Sequence, residues 1–280
     1  MKQNLIYAIK NNELIHISDV VSGIKCECFC PSCSGVLIAR KGLKRSHHFS
    51  HYTDRECAYG YETALHLAAK EILLKSKRIW LPEVFAFEDE HNKKIVSKDL
   101  NIEIDNVTLE KKLDNFIPDI IIEVKGKKFI VEIAVTHPID KKKLEKIKAY
   151  NISTLEINLS RIGREITAEL LSDIVIGKSK YKTWKYNSVS SSWEKQFIEK
   201  SEKKVIIHRG LAHQVDYCPL EVRTWRGKKY ANFIDDCLCC DYFLKSEYDE
   251  DVNCDYTNKE YVYCLGRTKI LSVEDLKNKL

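Results

Sequence analysis

No stretch of the 280 residues approaches the roughly 18 consecutive apolar residues of a membrane-crossing helix, and the opening MKQNLIYAIKNNE lacks a cleavable signal pattern. In a chain with 44% hydrophobic and 31% charged residues, these absences predict a globular cytoplasmic protein with no membrane partner. Charge of one sign is not in great excess either. A net charge of +5 is mildly basic, but lysines crowd residues 111–148 and 194–204, while EYDEDVNCD at 247–255 is acidic. That asymmetry permits a polyanionic partner. Cysteine is missing from the whole of 58–217, yet all eleven cysteines fall within 26–57 and 218–264. In a reducing compartment such clusters point to metal rather than disulfides, and they predict two zinc modules bracketing a cysteine-free core.

The first cluster reads CECFCPSCSGVLIARKGLKRSHHFSHYTDREC. Cys30 and Cys33 make a Cys-x2-Cys knuckle, and His48 and His51 make a His-x2-His pair after a basic loop. Two close pairs of soft or borderline ligands suit tetrahedral zinc, which stabilises a segment too small for its own core. Cys26, Cys28, Cys57 and His47 stand in reserve, with Cys57 replacing His51 as the first exchange to consider. Lys41, Lys44 and Arg45 read either as a solvated loop or as phosphate contacts. In the second cluster the best ligand set is Cys218, Cys237, Cys240 and Cys264, leaving Cys239 and Cys254 over; ordinary buried thiols are the alternative. Four protein ligands leave no open position, so both zinc ions are expected to be structural.

Between the clusters, NFIPDIIIEVKGKKFIVEIAVTH (115–137) reads as a hairpin turning at Lys125-Gly126. Counting outward opposes Val124 to Lys127, Glu123 to Lys128, Ile121 to Ile130 and Asp119 to Glu132 on one face; Ile120, Ile122, Phe129 and Val131 share the other. Directly opposed residues stand about 4.5–5.5 Å apart, where like charges destabilise a sheet. Either a protein cation or a divalent metal must neutralise Asp119 and Glu132, unless the pair sits at a strand end in water. Carboxylate oxygens suit Mg²⁺ or Mn²⁺.

The remaining pattern predicts a helix over 61–77 with Glu62, His66 and Lys70 on one polar stripe, and a strand at 80–87. A basic helix follows over 139–150 and a strand over 154–159. The stripe is equally readable as a solvated face. The domain boundaries expected are an N-terminal zinc module (1–57), an α/β domain (58–177), a polar linker (178–210) with helix at 191–201, and a C-terminal zinc module (211–280).

Pro118-Asp119 on one strand and Glu132 on the next, in the order helix, three strands, helix, strand, resembles the PD-(D/E)xK restriction-endonuclease-like fold. The preceding CPSC…HFSH segment and the Glu62-x3-His66-x3-Lys70 helix resemble the CoiA-like competence proteins, over roughly residues 25–160. The resemblance implies an α/β fold with a mixed sheet flanked by helices, a nuclease acting on DNA in DNA processing or defence, and Glu62 assisting a metal site formed by Asp119 and Glu132. One departure stands out: Ala134 occupies the place of the family's motif lysine. Lys143, at the start of the next helix, or Lys70 must then supply the cation, with His137 as an assistant at the strand end. Three functions follow as expectations: a Mg²⁺- or Mn²⁺-dependent deoxyribonuclease, a nucleic-acid-binding adaptor that has lost catalysis, or one subunit of a protein complex docked through the acidic segment.

Overall fold

The computed structural model describes residues 4–53, 57–87, 92–160, 162, 166–249 and 259–279. They fall into two compact units, Met1–Pro82 with Asp99–Asn187, and Glu83–Lys98 with Ser188–Leu280. Among the described residues, no helix is long and apolar enough to cross a membrane.

The first unit is organised by the hairpin. Lys125 and Gly126 both take positive φ, 49° and 76°, as a two-residue primed turn requires at both positions. Lysine is an uncommon choice there, and the Asp105 carboxylate accepts the Lys125 N–H at 2.6 Å. The strands Ile120–Val124 and Lys127–Ala134 pair in the expected register, Val124 opposite Lys127, Glu123 opposite Lys128 and Ile121 opposite Ile130. They form the centre of a five-stranded sheet whose order follows the chain: Asn106–Leu109, Ile120–Val124, Lys127–Ala134, Thr154–Asn158 and Lys182–Tyr186. All neighbours are antiparallel except Lys127–Ala134 with Thr154–Asn158. That parallel step needs a crossover, which helix α2 (Lys141–Tyr150) supplies.

Helices cover both faces of this mixed sheet. Ile120, Ile122 and Val131 pack in one cluster with Ala64, Leu65 and Leu73 of α1 (Gly60–Ser76) and Leu171 and Val175 of α3 (Ala168–Ile176). On the other face, Ile121 and Ile130 pack against Ile147 of α2. The N-terminal residues form a second five-stranded sheet, from Tyr7–Lys10 to His48–His51. Its Cys26, Cys28, Leu37 and Phe49 belong to the same buried cluster as α1. The expected border at residue 57 therefore has no counterpart in the packing: a sheet of short strands closes its core by borrowing the helix that follows.

Two other expectations change. The strand expected at 80–87 is split into Arg78–Leu81 and Val84–Ala86, because Pro82 has no N–H to donate to a ladder. The segment 178–210, expected as a linker with helix at 191–201, does hold that helix as α4 (Ser188–Lys200), but the strands Lys182–Tyr186 and Glu202–Arg209 flank it in place of linker. Its serine- and lysine-rich composition hides Trp193 and Phe197, four residues apart on one helical face. Both pack in the second unit's cluster, Phe197 fully buried. That unit is built on a six-stranded antiparallel sheet ordered Arg223–Trp225, Lys228–Asn232, Ala212–Asp216, Glu202–Arg209, Lys259–Cys264 and Phe243–Asp249. The short helix α5 (Val273–Lys277), closed by a Ser272/Asp275 capping box, follows it.

Candidate active site and metal centre

The N-terminal sheet brings Cys30, Cys33, His51 and Cys57 together, with one ligand atom of each within 4.8 Å of all the others. Cys33 Sγ lies 3.3 Å from His51 Nε2, and Cys30 Sγ lies 3.8 Å from Cys57 Sγ. A tetrahedron with Zn–S bonds of about 2.3 Å has edges of about 3.8 Å. The backbone is cut to fit the sulfurs. A Cβ on Gly35 would meet Cys33 Sγ at 3.3 Å, and one on Gly60 would meet both Cys30 and Cys57 Sγ at 3.3 Å. The four groups can hold a metal ion such as zinc.

The fourth member of the cluster is Cys57 in place of the expected His48. Residues His48–His51 form a strand, and residues three apart on a strand point to opposite faces. Only one of the two histidines can face the cysteines, and His48 Nδ1 instead contacts the Ser46 carbonyl at 2.9 Å. Cys26 and Cys28 are buried in the core, and their thiols donate to the Leu37 and Cys26 carbonyls. In the basic loop Lys41 is held by the Ser18 and Val20 carbonyls.

The acids form a separate site. Asp119 immediately precedes the Ile120–Val124 strand, and its Oδ2 accepts from the Ile133 N–H at 2.8 Å, fastening it beside Glu132. The α1 stripe does face this point: His66 Nε2 lies 2.9 Å from Asp119 Oδ2, and Lys70, only 2% exposed, bridges Glu110 at 2.7 Å and Asp119 at 3.7 Å. Glu62 accepts from Thr136 Oγ1 at 2.7 Å. Lys143 Nζ reaches Glu132 Oε2 at 2.6 Å. It stands in the first turn of α2 because Asp140 caps that helix, accepting the Lys143 N–H at 2.7 Å. Glu62, His66, Asp119, Glu132, Ala134, His137 and Lys143 all line one cavity of about 480 Å³.

The two carboxyl groups are driven apart. Burial pushes Asp119 upward, but the His66 hydrogen bond and charge, the Ile133 N–H and Lys70 outweigh it and hold the group at about 2. Burial raises Glu132, Asp119's charge raises it further, and Lys143 only partly offsets them, leaving it at about 7. Glu132 is 4% exposed, and its Oε1 has no hydrogen-bond partner. A buried carboxylate oxygen without a donor is costly; Asp119, Glu132 and Glu62 offer hard oxygens along this cavity, but among the described residues they do not form a cluster whose ligand atoms all lie within 4.8 Å of one another.

Three participants escaped the sequence reading. Glu156, 1% exposed, sits directly beside Glu132 across the parallel pair and is tied to Lys185 at 3.0 Å and the Ile139 N–H at 2.7 Å. Its signal was present: TLEIN carries an acid inside an apolar run, as IVEIA does. Glu110, the partner of Lys70, and Thr136, the partner of Glu62, carry no such local mark.

The second cysteine set is looser. Cys218, Cys237, Cys240 and Cys264 line one cavity of about 30 Å³, yet their sulfurs do not all come within the 4.8 Å that the first set satisfies. Burial, then the charges of Cys218, Cys264 and Cys240, push the Cys237 thiol up to about 12. The Gly266 N–H donates to Cys264 Sγ at 3.3 Å. Cys239 is exposed; Cys254 and residues 250–255 of the acidic segment lie outside the described residues.

The first unit is thus a mixed α/β domain fused to a sheet with a metal-competent Cys/His cluster. Residues 18–60 match the family model of the Competence protein CoiA N-terminal domain, an interval that contains all four groups of that cluster. Comparison with curated proteins and with solved structures gave no match.

Proposed function

We propose that the protein is a divalent-metal-dependent DNA nuclease with a restriction-endonuclease-like core, of the CoiA-like kind. The observation that carries this reading is the buried Glu132 beside Asp119, with one oxygen unpartnered and Lys143 against the other. Asp119, Glu132 and Glu62 would hold Mg²⁺ or Mn²⁺, which when bound lowers the pKa of a coordinated water and offsets charge on a phosphate. Lys143 takes the place left by Ala134: its ammonium lies on the same cavity and can face a scissile phosphate. His66 and Lys70 hold the Asp119 carboxylate ionised, so it is ready for a cation at any pH above its low pKa. Zinc in the Cys30, Cys33, His51, Cys57 cluster is structural, since four protein ligands close it. A looser zinc at Cys218, Cys237, Cys240 and Cys264 belongs to the same reading. The lysines exposed on α2 would grip backbone phosphates. The test is cleavage of plasmid and linear DNA in Mg²⁺ or Mn²⁺, with Asp119→Ala as control; turnover that survives this change rejects the assignment.

A second reading is favoured by a specific observation: Ala134 leaves the motif short of a lysine, and Lys70, Lys143 and His66 are each already paired with a carboxylate. A core so neutralised would serve as a nucleic-acid-binding adaptor or complex subunit. DNA binding unaltered by Asp119→Ala, with no turnover in any divalent metal, selects it.

A further inference from the structure

The six-stranded sheet of the second unit changes character along one face. Ile206, Val215 and Val262, from three adjacent strands, belong to a buried apolar cluster. Two residues further along those strands, on the same face by the period of the pleat, stand His208, His213 and Glu260. His208 and His213 are directly opposed across the ladder, with ring centroids 4.5 Å apart. His208 Nε2 lies 3.8 Å from Glu260 Oε2, too far for a hydrogen bond. One nitrogen of each ring and one Glu260 oxygen all lie within 4.8 Å of one another. Glu260 is 6% exposed and lies opposite Tyr248 on the neighbouring strand.

An ordinary ion pair does not account for this arrangement: two imidazoles converge on a single buried carboxylate at a distance that leaves room for an atom between them. We propose that His208, His213 and Glu260 form a binding site for a first-row divalent cation, with Zn²⁺ the expected occupant. Two imidazole nitrogens and one carboxylate oxygen form an established zinc ligand set, and three ligands leave a position open to water or a substrate oxygen. The half-exposed His208 gives the ion its path in from solvent. This site is independent of the proposed nuclease centre and contains no cysteine.

The test uses the full chain in the Asp119→Ala background, which disables the acidic centre; it is treated with a mild chelator that strips ions from open three-ligand sites but leaves the closed cysteine sets filled, and is then titrated with Co²⁺. The expected result is one further equivalent of Co²⁺ with visible d–d absorption and no rise in near-ultraviolet thiolate charge transfer. His208→Ala and Glu260→Gln should each weaken it at least about tenfold with unchanged circular dichroism. No additional equivalent, a thiolate band, or binding indifferent to both changes would overturn the proposal. Neither result bears on nuclease activity, so the two readings fail separately.

Discussion

At the residue scale, the proposed nuclease reading rests on Lys143 and Glu132. The missing motif lysine was visible in the sequence as Ala134, and Lys143 was one of two replacements the spacing allowed; the Asp140 cap is what sets its Nζ 2.6 Å from Glu132. Lys143→Ala should lower cleavage by about 100-fold or more, the usual cost of losing a group that faces developing charge, with little change in melting temperature or DNA affinity. Lys142→Ala should mainly weaken binding, more so at low salt. A second prediction concerns pH. Glu132 rises from 4.5 to about 7 on folding, so between those values the native state holds a proton that the unfolded chain has lost. Stability from this group is present below its unfolded pKa and is lost as pH rises through the folded one. In metal-free buffer with chelator, the melting temperature of Glu132→Gln should therefore gain on the parent chain as pH rises from about 4.5 to 7, and the gap should stay level above that. Asp119, depressed to about 2, acts oppositely: its stabilisation is present above 3.8 and lost as pH falls through about 2.

Elements were legible where local pattern and packing agreed. The hairpin's register followed from alternation and a two-residue turn, and the structure pairs the same residues. α1 and α2 lie within a residue or two of their expected spans, and the polar stripe of α1 turned inward because His66 and Lys70 both meet the half-buried Asp119, Lys70 also pairing with the exposed Glu110. What escaped was set by strand geometry and distant partners. His48 and His51 look like a ligand pair in one dimension, but on a strand they face opposite ways, and Cys57 completes the set from the entry to α1. α4 was expected over 191–201, whereas the strands on either side of it, Lys182–Tyr186 and Glu202–Arg209, were hidden by their polar, lysine-rich composition. Cys57→Ser should accordingly cost the protein a zinc atom and destabilise the N-terminal sheet as Cys30→Ser does, because structural metal binding is folding free energy. His48→Ala should leave zinc content unchanged. Elemental analysis paired with thermal denaturation of the three variants checks this.

At the scale of the whole molecule the division differs from the one that composition proposed. Cysteine clusters drew the eye to modules at 1–57 and 211–280, whereas packing joins the N-terminal sheet to the acidic α/β core and places Glu83–Lys98 with the C-terminal half. Side chains distant in sequence decide such boundaries, and a linear pattern does not display them. The first unit carries the interval that matches the CoiA N-terminal domain and, directly after it in the chain, the helix that meets Asp119. The central claim is that this acidic cavity is a nuclease centre. The most direct measurement is the rate of DNA cleavage in Mg²⁺ or Mn²⁺ by the parent chain and by Asp119→Ala, both shown to keep the N-terminal metal and to melt cooperatively. Metal-dependent cleavage by the parent that Asp119→Ala lowers by about 100-fold or more is the predicted result; equal rates in the two proteins, or no cleavage by the parent in either metal, would contradict it.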